Sequence, residues 1–423
     1  MKNPVRLTFL LVFSIAALTL CSCSDNDVRN ISAVYYDKGP VVYKNEGDGV
    51  DKNTVYELGS CGKTVAAYTA LVMADEGILD LDEKIAPFLD KDLLTADPRM
   101  NDITLRQLLC HTAGFSPSYE LGTDKNIYSD PGSKFCYSGV GYIYMQSVIE
   151  NKSGMTLDEA ASKYVFKPLS MKNSTFENAK TVTPYMNLSS VVLYSMLIFI
   201  AALLVLTLIA FIPGKITKFK FMSFKKAFVC CYILAGIINT VFLLFFFVSK
   251  VFVFFLICYL LTGLVMFILR KRKKLFYISS ALMLAVILAI GFTLPVSIPV
   301  TCDLIPKKPN CAYTFKSSAE DMALFCNDLM KKAKAGDEMF APQVKIDDEN
   351  DWGLGIAIEH NDEYGTTYWH SGINPGFQSL FVLYPDRDRF VVILTNSDKG
   401  LDLAKEMTRP YLKYDGVWDI KRS

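Results

Sequence analysis

Residues 187–300 hold 11 Lys and Arg and not one Asp or Glu, and no other feature of this 423-residue chain limits its fold as much. Four apolar runs lie inside the block, at 189–212, 227–248, 251–269 and 275–298, and none contains Asp, Glu, Lys, Arg or His. At about 1.5 Å of rise per residue, a run near 20 residues long spans a hydrocarbon core of roughly 30 Å as a helix. The basic residues fall between the runs. Lys215, Lys218, Lys220, Lys225 and Lys226 separate the first two, and Arg270 to Lys274 separate the last two. Cationic loops stay on the cytoplasmic side, so the expectation is four transmembrane helices with both flanking segments outside. Ion pathways and proton relays need ionisable groups within the spans, so the block reads as an anchor or lipid-facing module rather than a transporter.

The first 23 residues support the same topology. Lys2 and Arg6 precede the apolar run Leu7–Leu20, as in an export signal. Leu20-Cys21-Ser22-Cys23 resembles a bacterial lipobox, with Cys23 as the lipid-attachment residue, and Ser24-Asp25-Asn26-Asp27 reads as a polar tether. Plain secretion and an uncleaved anchor are the alternatives. The net charge of +1 conceals a split, because outside 187–300 there are 33 basic against 43 acidic residues. That acidic balance argues against nucleic acid as a partner. Eleven cysteines are too sparse for a disulfide scaffold. Cys302 and Cys311 are a candidate pair outside the membrane. Three scattered histidines offer no zinc spacing, and His111 reads as a turn residue. No metal or other cofactor is implied.

Residues 24–186 and 301–423 remain for the extracytoplasmic side, enough for one enzyme domain interrupted by the membrane block. Ile31–Tyr36, Gly39-Pro40 and Val41–Tyr43 form a hairpin pattern. Ser60–Glu76 reads as a helix stopped by Gly77, and Ser318–Ala335 as a second. Strand-like runs follow at Gly353–Ile358, Tyr364–Trp369, Gln378–Tyr384 and Phe390–Thr395. Helices flanking a mostly antiparallel sheet make an α/β sandwich.

One constellation carries chemistry. In Glu57-Leu58-Gly59-Ser60-Cys61-Gly62-Lys63, a Ser-x-x-Lys pattern opens a helix. Positions i and i+3 share a face, so Lys63 reaches the Ser60 oxygen. A serine hydroxyl needs a base to take its proton, and Lys63 serves only if burial or nearby positive charge favours its neutral form. The helix start favours negative charge developing at Ser60. The pattern alone is weak, since Ser223-Phe224-Lys225-Lys226 also matches it.

Its company is specific. Leu58–Thr64, Gly77–Asp82, Leu108–Gly114, Phe135–Tyr142, Pro168–Met171, Ser318–Met322 and His370-Ser371-Gly372 follow one another in the order found in the serine β-lactamase and penicillin-binding-protein-like hydrolases, and the chain most resembles their class C β-lactamase and esterase branch. The resemblance implies a β-lactamase-like sandwich. It implies Ser60 as nucleophile, Lys63 as its base and Tyr137 as proton carrier to the leaving group. It places His370, Ser371, Gly372 and Ile373 on a substrate-lining strand, with the N–H groups of Ser60 and Ile373 as oxyanion donors. Gly139 stands where the family has an Asn that grips a substrate amide, which turns the expectation toward esters. Cys61, Cys110 and Cys136 beside these motifs read as buried apolar residues.

The expected function is a membrane-anchored extracytoplasmic serine hydrolase acting on ester, D-amino-acid peptide or related cell-envelope substrates, with the lipid bilayer as its other partner. The alternatives are a sensor that relays acylation or cleft occupancy through the four helices to a signalling partner, and a peptide-binding pseudoenzyme.

Overall fold

The computed structural model describes residues 28, 30–116, 125–187, 297–299 and 308–420. Segments Val28–Tyr185 and Ile305–Ser423 make one compact unit. A second unit comprises Met1–Asp27 and Met186–Leu304. The leader with Cys23 lies outside the described residues, as do the four expected spans except Ser297 and Ile298. Those two belong to a short strand, Ser297–Pro299, which pairs with Tyr185–Asn187. Among the described residues no helix is long and apolar enough to cross a membrane.

In chain order the strands are β1 (Ile31–Asp37), β2 (Val42–Glu46), β3 (Val55–Glu57), β4 (Tyr185–Asn187), β5 (Ser297–Pro299), β6 (Lys316–Ser318), β7 (Val344–Lys345), β8 (Asn350–Trp352), β9 (Ala357–Asn361), β10 (Gly365–Asn374), β11 (Phe377–Tyr384) and β12 (Arg389–Thr395). The helices are α1 (Cys61–Asp75), α2 (Leu105–Leu109), α3 (Gly139–Ser153), α4 (Leu157–Ala161), α5 (Ala319–Ala335) and α6 (Gly400–Leu412). Eight strands form one antiparallel sheet in the order β2-β1-β12-β11-β10-β9-β8-β7. The first and last strands of the unit are therefore neighbours, because β1 pairs with β12 along its whole length. A second cross-link joins the halves where β3 pairs with β6.

The central strands separate two cores. Phe381, Leu383, Phe390, Val392 and Leu394 pack on the face shared with α1, α3 and α5. Leu380, Val382, Tyr384, Val391 and Ile393 pack on the opposite face with Ala404 and Leu412 of α6. Side chains alternate along a strand, so a strand covered on both faces is apolar at nearly every position. This explains the unbroken runs Leu380–Tyr384 and Phe390–Leu394. The fold is the expected β-lactamase-like sandwich of an antiparallel sheet between helical layers.

Four local points differ from the sequence reading or were not read there. The run Gly353–Ile358 is not one strand. It contains the turn between β8 and β9, closed by Gly353 N–H donating to the Ile356 carbonyl at 2.9 Å, with Gly355 at φ +84°. The run expected over Tyr364–Trp369 begins at Gly365 and continues through His370 to Asn374 as β10. Helix α3 carries no sequence stripe because ten of its residues are buried on several sides, and its start is set by Ser138, whose hydroxyl accepts the Gly141 N–H. Cys311 is a free thiol and fully buried, which overturns its pairing with Cys302.

Candidate active site

The site forms where the start of α1 meets β10. Gly59 adopts φ +50°, and a Cβ there would lie 2.9 Å from the Ile373 main-chain nitrogen. On the other side, a Cβ on Gly372 would lie 1.8 Å from the Leu58 carbonyl oxygen. Two glycines therefore let the Leu58-Gly59-Ser60 backbone lie directly against Gly372-Ile373. Hydrogen bonds lock the contact. Ser379 Oγ donates to the Leu58 carbonyl at 2.9 Å, and Cys61 Sγ donates to the His370 carbonyl at 3.4 Å. Burial pushes the Cys61 thiol up to about 12, so it acts as a small packing residue beside Ser60.

Ser60 stands at the N-terminal end of α1, makes no side-chain capping bond and stays partly exposed, while Lys63 is 2% exposed. Lys63 Nζ donates to Ser60 Oγ at 2.9 Å and to the Ala312 carbonyl at 2.6 Å. It also lies 5.2 Å from the Tyr137 ring centroid and 5.7 Å from that of Tyr142. Burial of this kind disfavours an ammonium, one of the two circumstances that favour a neutral lysine. The half-buried Tyr137 ring is 6.2 Å from the His370 ring. His370 is itself buried, and its Nδ1–H donates to the Ser371 carbonyl at 2.7 Å. Ile373 is 49% exposed and forms an apolar lip at the end of the strand.

Ser60, Lys63, Tyr137 and the His370–Ile373 strand thus converge. Gly139 opens α3 two residues after Tyr137 and is buried. Cys23 lies outside the described residues. Among the described residues no three His, Cys, Asp or Glu side chains cluster to hold a metal ion.

Three contributors escaped the sequence reading. Ala312 acts through its carbonyl, which no residue type reveals. Its loop is fixed by Asn310, whose Oδ1 accepts the Ala312 and Tyr313 N–H groups, and by Gln146, whose Oε1 accepts the Cys311 N–H. Asn374 Nδ2 ties Glu57 Oε2 to the Tyr313 carbonyl at 2.7 and 2.9 Å. Its place directly after His370-Ser371-Gly372-Ile373 was the available signal. His111 packs its ring 4.3 Å from that of Tyr137.

A family model described as Beta-lactamase matches residues 22–185 and 299–414, well over half of the chain and on both sides of the apolar block. Protein flp of Staphylococcus aureus strain MW2 is 27% identical over 166 residues, which cover 33% of this chain and 33% of that protein. The alignment therefore spans only a third of that relative. Among solved structures, a penicillin-binding protein from Bacillus halodurans superposes with a TM-score of 0.58 at 15% identity, covering 97% of this chain and 99% of that one. A D-stereospecific amidohydrolase from Streptomyces superposes with a TM-score of 0.57 at 16% identity, over 92% and 96% of the two chains. At such identities the superpositions speak for the fold. Ordered motifs, fold and family match agree: the chain belongs to the beta-lactamase family of serine hydrolases and penicillin-binding-protein-like proteins.

Proposed function

We propose that this protein is a membrane-anchored, extracytoplasmic serine hydrolase that forms an acyl-enzyme on Ser60, with esters preferred over amides. The observation that carries the reading is the 2.9 Å contact between Ser60 Oγ and the buried Lys63 Nζ, beside the Tyr137 ring. In the proposed reaction Ser60 Oγ attacks the acyl carbon while Lys63, in its neutral form, takes the hydroxyl proton. The oxyanion is stabilised by the Ser60 and Ile373 N–H groups, which the close Gly59–Ile373 approach supports. Tyr137 passes the proton to the departing alkoxide, and water then releases the acid by the same steps in reverse. An alkoxide leaves more readily than an amide anion, and Gly139 offers no side chain to a substrate amide. Amide hydrolysis, the reaction type named for the D-stereospecific amidohydrolase of Streptomyces, would therefore be the weaker of the two. The charge asymmetry of residues 187–300 supports the membrane placement, and the Cys23 motif supports lipidation.

The test uses the full-length protein in membranes. A fluorophosphonate probe should label wild type, and Ser60→Ala and Lys63→Ala should each abolish both labelling and turnover of a chromogenic short-chain ester. Gly139→Asn should raise amide or β-lactam turnover relative to ester. Absence of labelling in folded wild-type protein would refute the hydrolase reading and leave peptide binding in its place.

A further inference from the structure

Tyr137 has no regular structure to hold it. Residues 135–138 belong to neither strand nor helix, so no ladder fixes the phenol beside Lys63. One residue supplies the bonds that a ladder would give. The His111 carbonyl accepts the Cys136 N–H at 2.8 Å, and His111 Nδ1 accepts the Ser138 N–H at 3.1 Å. The main-chain donors on either side of Tyr137 are thus both taken by His111. Between them the imidazole packs against the phenol ring, with centroids 4.3 Å apart and planes 38° apart.

We infer that His111 is a positioning residue for Tyr137, gripping the peptide on both sides of it and supporting its ring, so that the phenol is held ready to carry a proton. The inference rests on the hydrolase reading for its catalytic consequence, while the grip itself is a matter of geometry. His111 adopts φ +58°, a left-handed backbone that non-glycine residues rarely take. Such a conformation persists where the surroundings over-determine it, and here it lets the carbonyl and the ring of one residue reach the same segment. Accepting a main-chain N–H at Nδ1 fixes the tautomer, with the proton on Nε2. A protonated ring would set two donors face to face. Burial, with Lys63 and His370 nearby, holds His111 neutral well below the usual histidine range. Phe135, Tyr142 and Trp352 close around the rest of the ring, so it has little freedom to turn.

The test separates proton delivery from general loss of structure. Wild type, His111→Phe, His111→Asn and Tyr137→Phe are assayed on two esters of one acid, a p-nitrophenyl ester, whose leaving group needs no protonation, and an ethyl ester, whose leaving group does. Loss of a positioned acid costs about 10²-fold or more on the demanding substrate. His111→Phe keeps a ring and removes the Nδ1 acceptor. It should lower kcat/KM, which reports acylation and not the shared deacylation step, about 10²-fold on the ethyl ester and less than about threefold on the nitrophenyl ester, the pattern expected of Tyr137→Phe. His111→Asn keeps an acceptor and tolerates the left-handed backbone, but lacks the ring. It should show the same imbalance at about tenfold, and it carries the comparison if His111→Phe does not fold. Equal losses on both esters would overturn the assignment. Hydrogen exchange at the Ser138 amide tests the grip without turnover. Protection should fall in His111→Phe and survive in His111→Asn, and unchanged protection in His111→Phe would also overturn it. Inactive wild type with the expected exchange pattern would sink the hydrolase reading alone and uphold the placement of Tyr137.

Discussion

Gly372→Ala is the sharpest perturbation of the junction between the Ser60 segment and β10. A Cβ at this position would sit 1.8 Å from the Leu58 carbonyl oxygen and 2.6 Å from Ser379 Oγ. An ordinary carbon–oxygen contact is about 3.3 Å, so the backbones must separate by about 1.5 Å. β10 cannot yield freely, because Gly372 is paired with Ser379 of β11, and the loop leads directly into α1. Overpacking of this kind costs about 1–3 kcal/mol, and losing the Ser379–Leu58 hydrogen bond adds about 1 kcal/mol. For a domain of this size the Tm should fall by roughly 5–10 °C. A displacement near 1 Å costs about 10²-fold in rate when it misplaces reacting groups, so labelling of Ser60 should slow by that factor in protein that is still folded. Gly154→Ala is the control. Its φ is +70° and nothing lies within 4 Å, so it should lose about 1–2 kcal/mol from backbone strain without touching the site. Stopped-flow labelling below both melting temperatures compares them. If Gly372→Ala labels at the wild-type rate, or if Gly154→Ala slows equally, the reasoning from close approach is wrong.

Two further outcomes follow from the charges. The folded-state pKa of His111 lies well below its ordinary value of 6.5, so the unfolded chain takes up the proton first and stability should fall as pH drops below about 6.5, by up to about 1.4 kcal/mol per pH unit; urea titrations of wild type and His111→Asn from pH 7.5 to 5 should show that the variant lacks this part of the slope, and parallel curves would refute it. Reporter fusions placed within 215–226 and just after Cys302 should fall on opposite sides of the membrane, and finding them on one side would sink the four-span topology.

Much of this protein is local in origin and therefore legible in its sequence. The Ser60–Lys63 spacing on one helix face, the Gly77 stop, the β1–β2 hairpin and the central apolar strands each depend on neighbours a few residues away, and each is present. Charge placement in 187–300 is likewise a local pattern, and it sets the topology expectation by itself. What the sequence could not show depends on contacts between distant parts of the chain. The Ala312 carbonyl reaches Lys63 from 249 positions away and uses no side chain. Gly59 and Gly372 look like ordinary turn and strand glycines until the two backbones meet. Helix α3 is buried around much of its circumference and so lacks the one-sided stripe that marks a surface helix. His111 reads as a turn residue from its local sequence, and that is where it sits. Only the packing of residues 135–138 against it places its imidazole beneath Tyr137, because ring stacking and a main-chain bond to Nδ1 are tertiary contacts that leave no periodic trace in the chain.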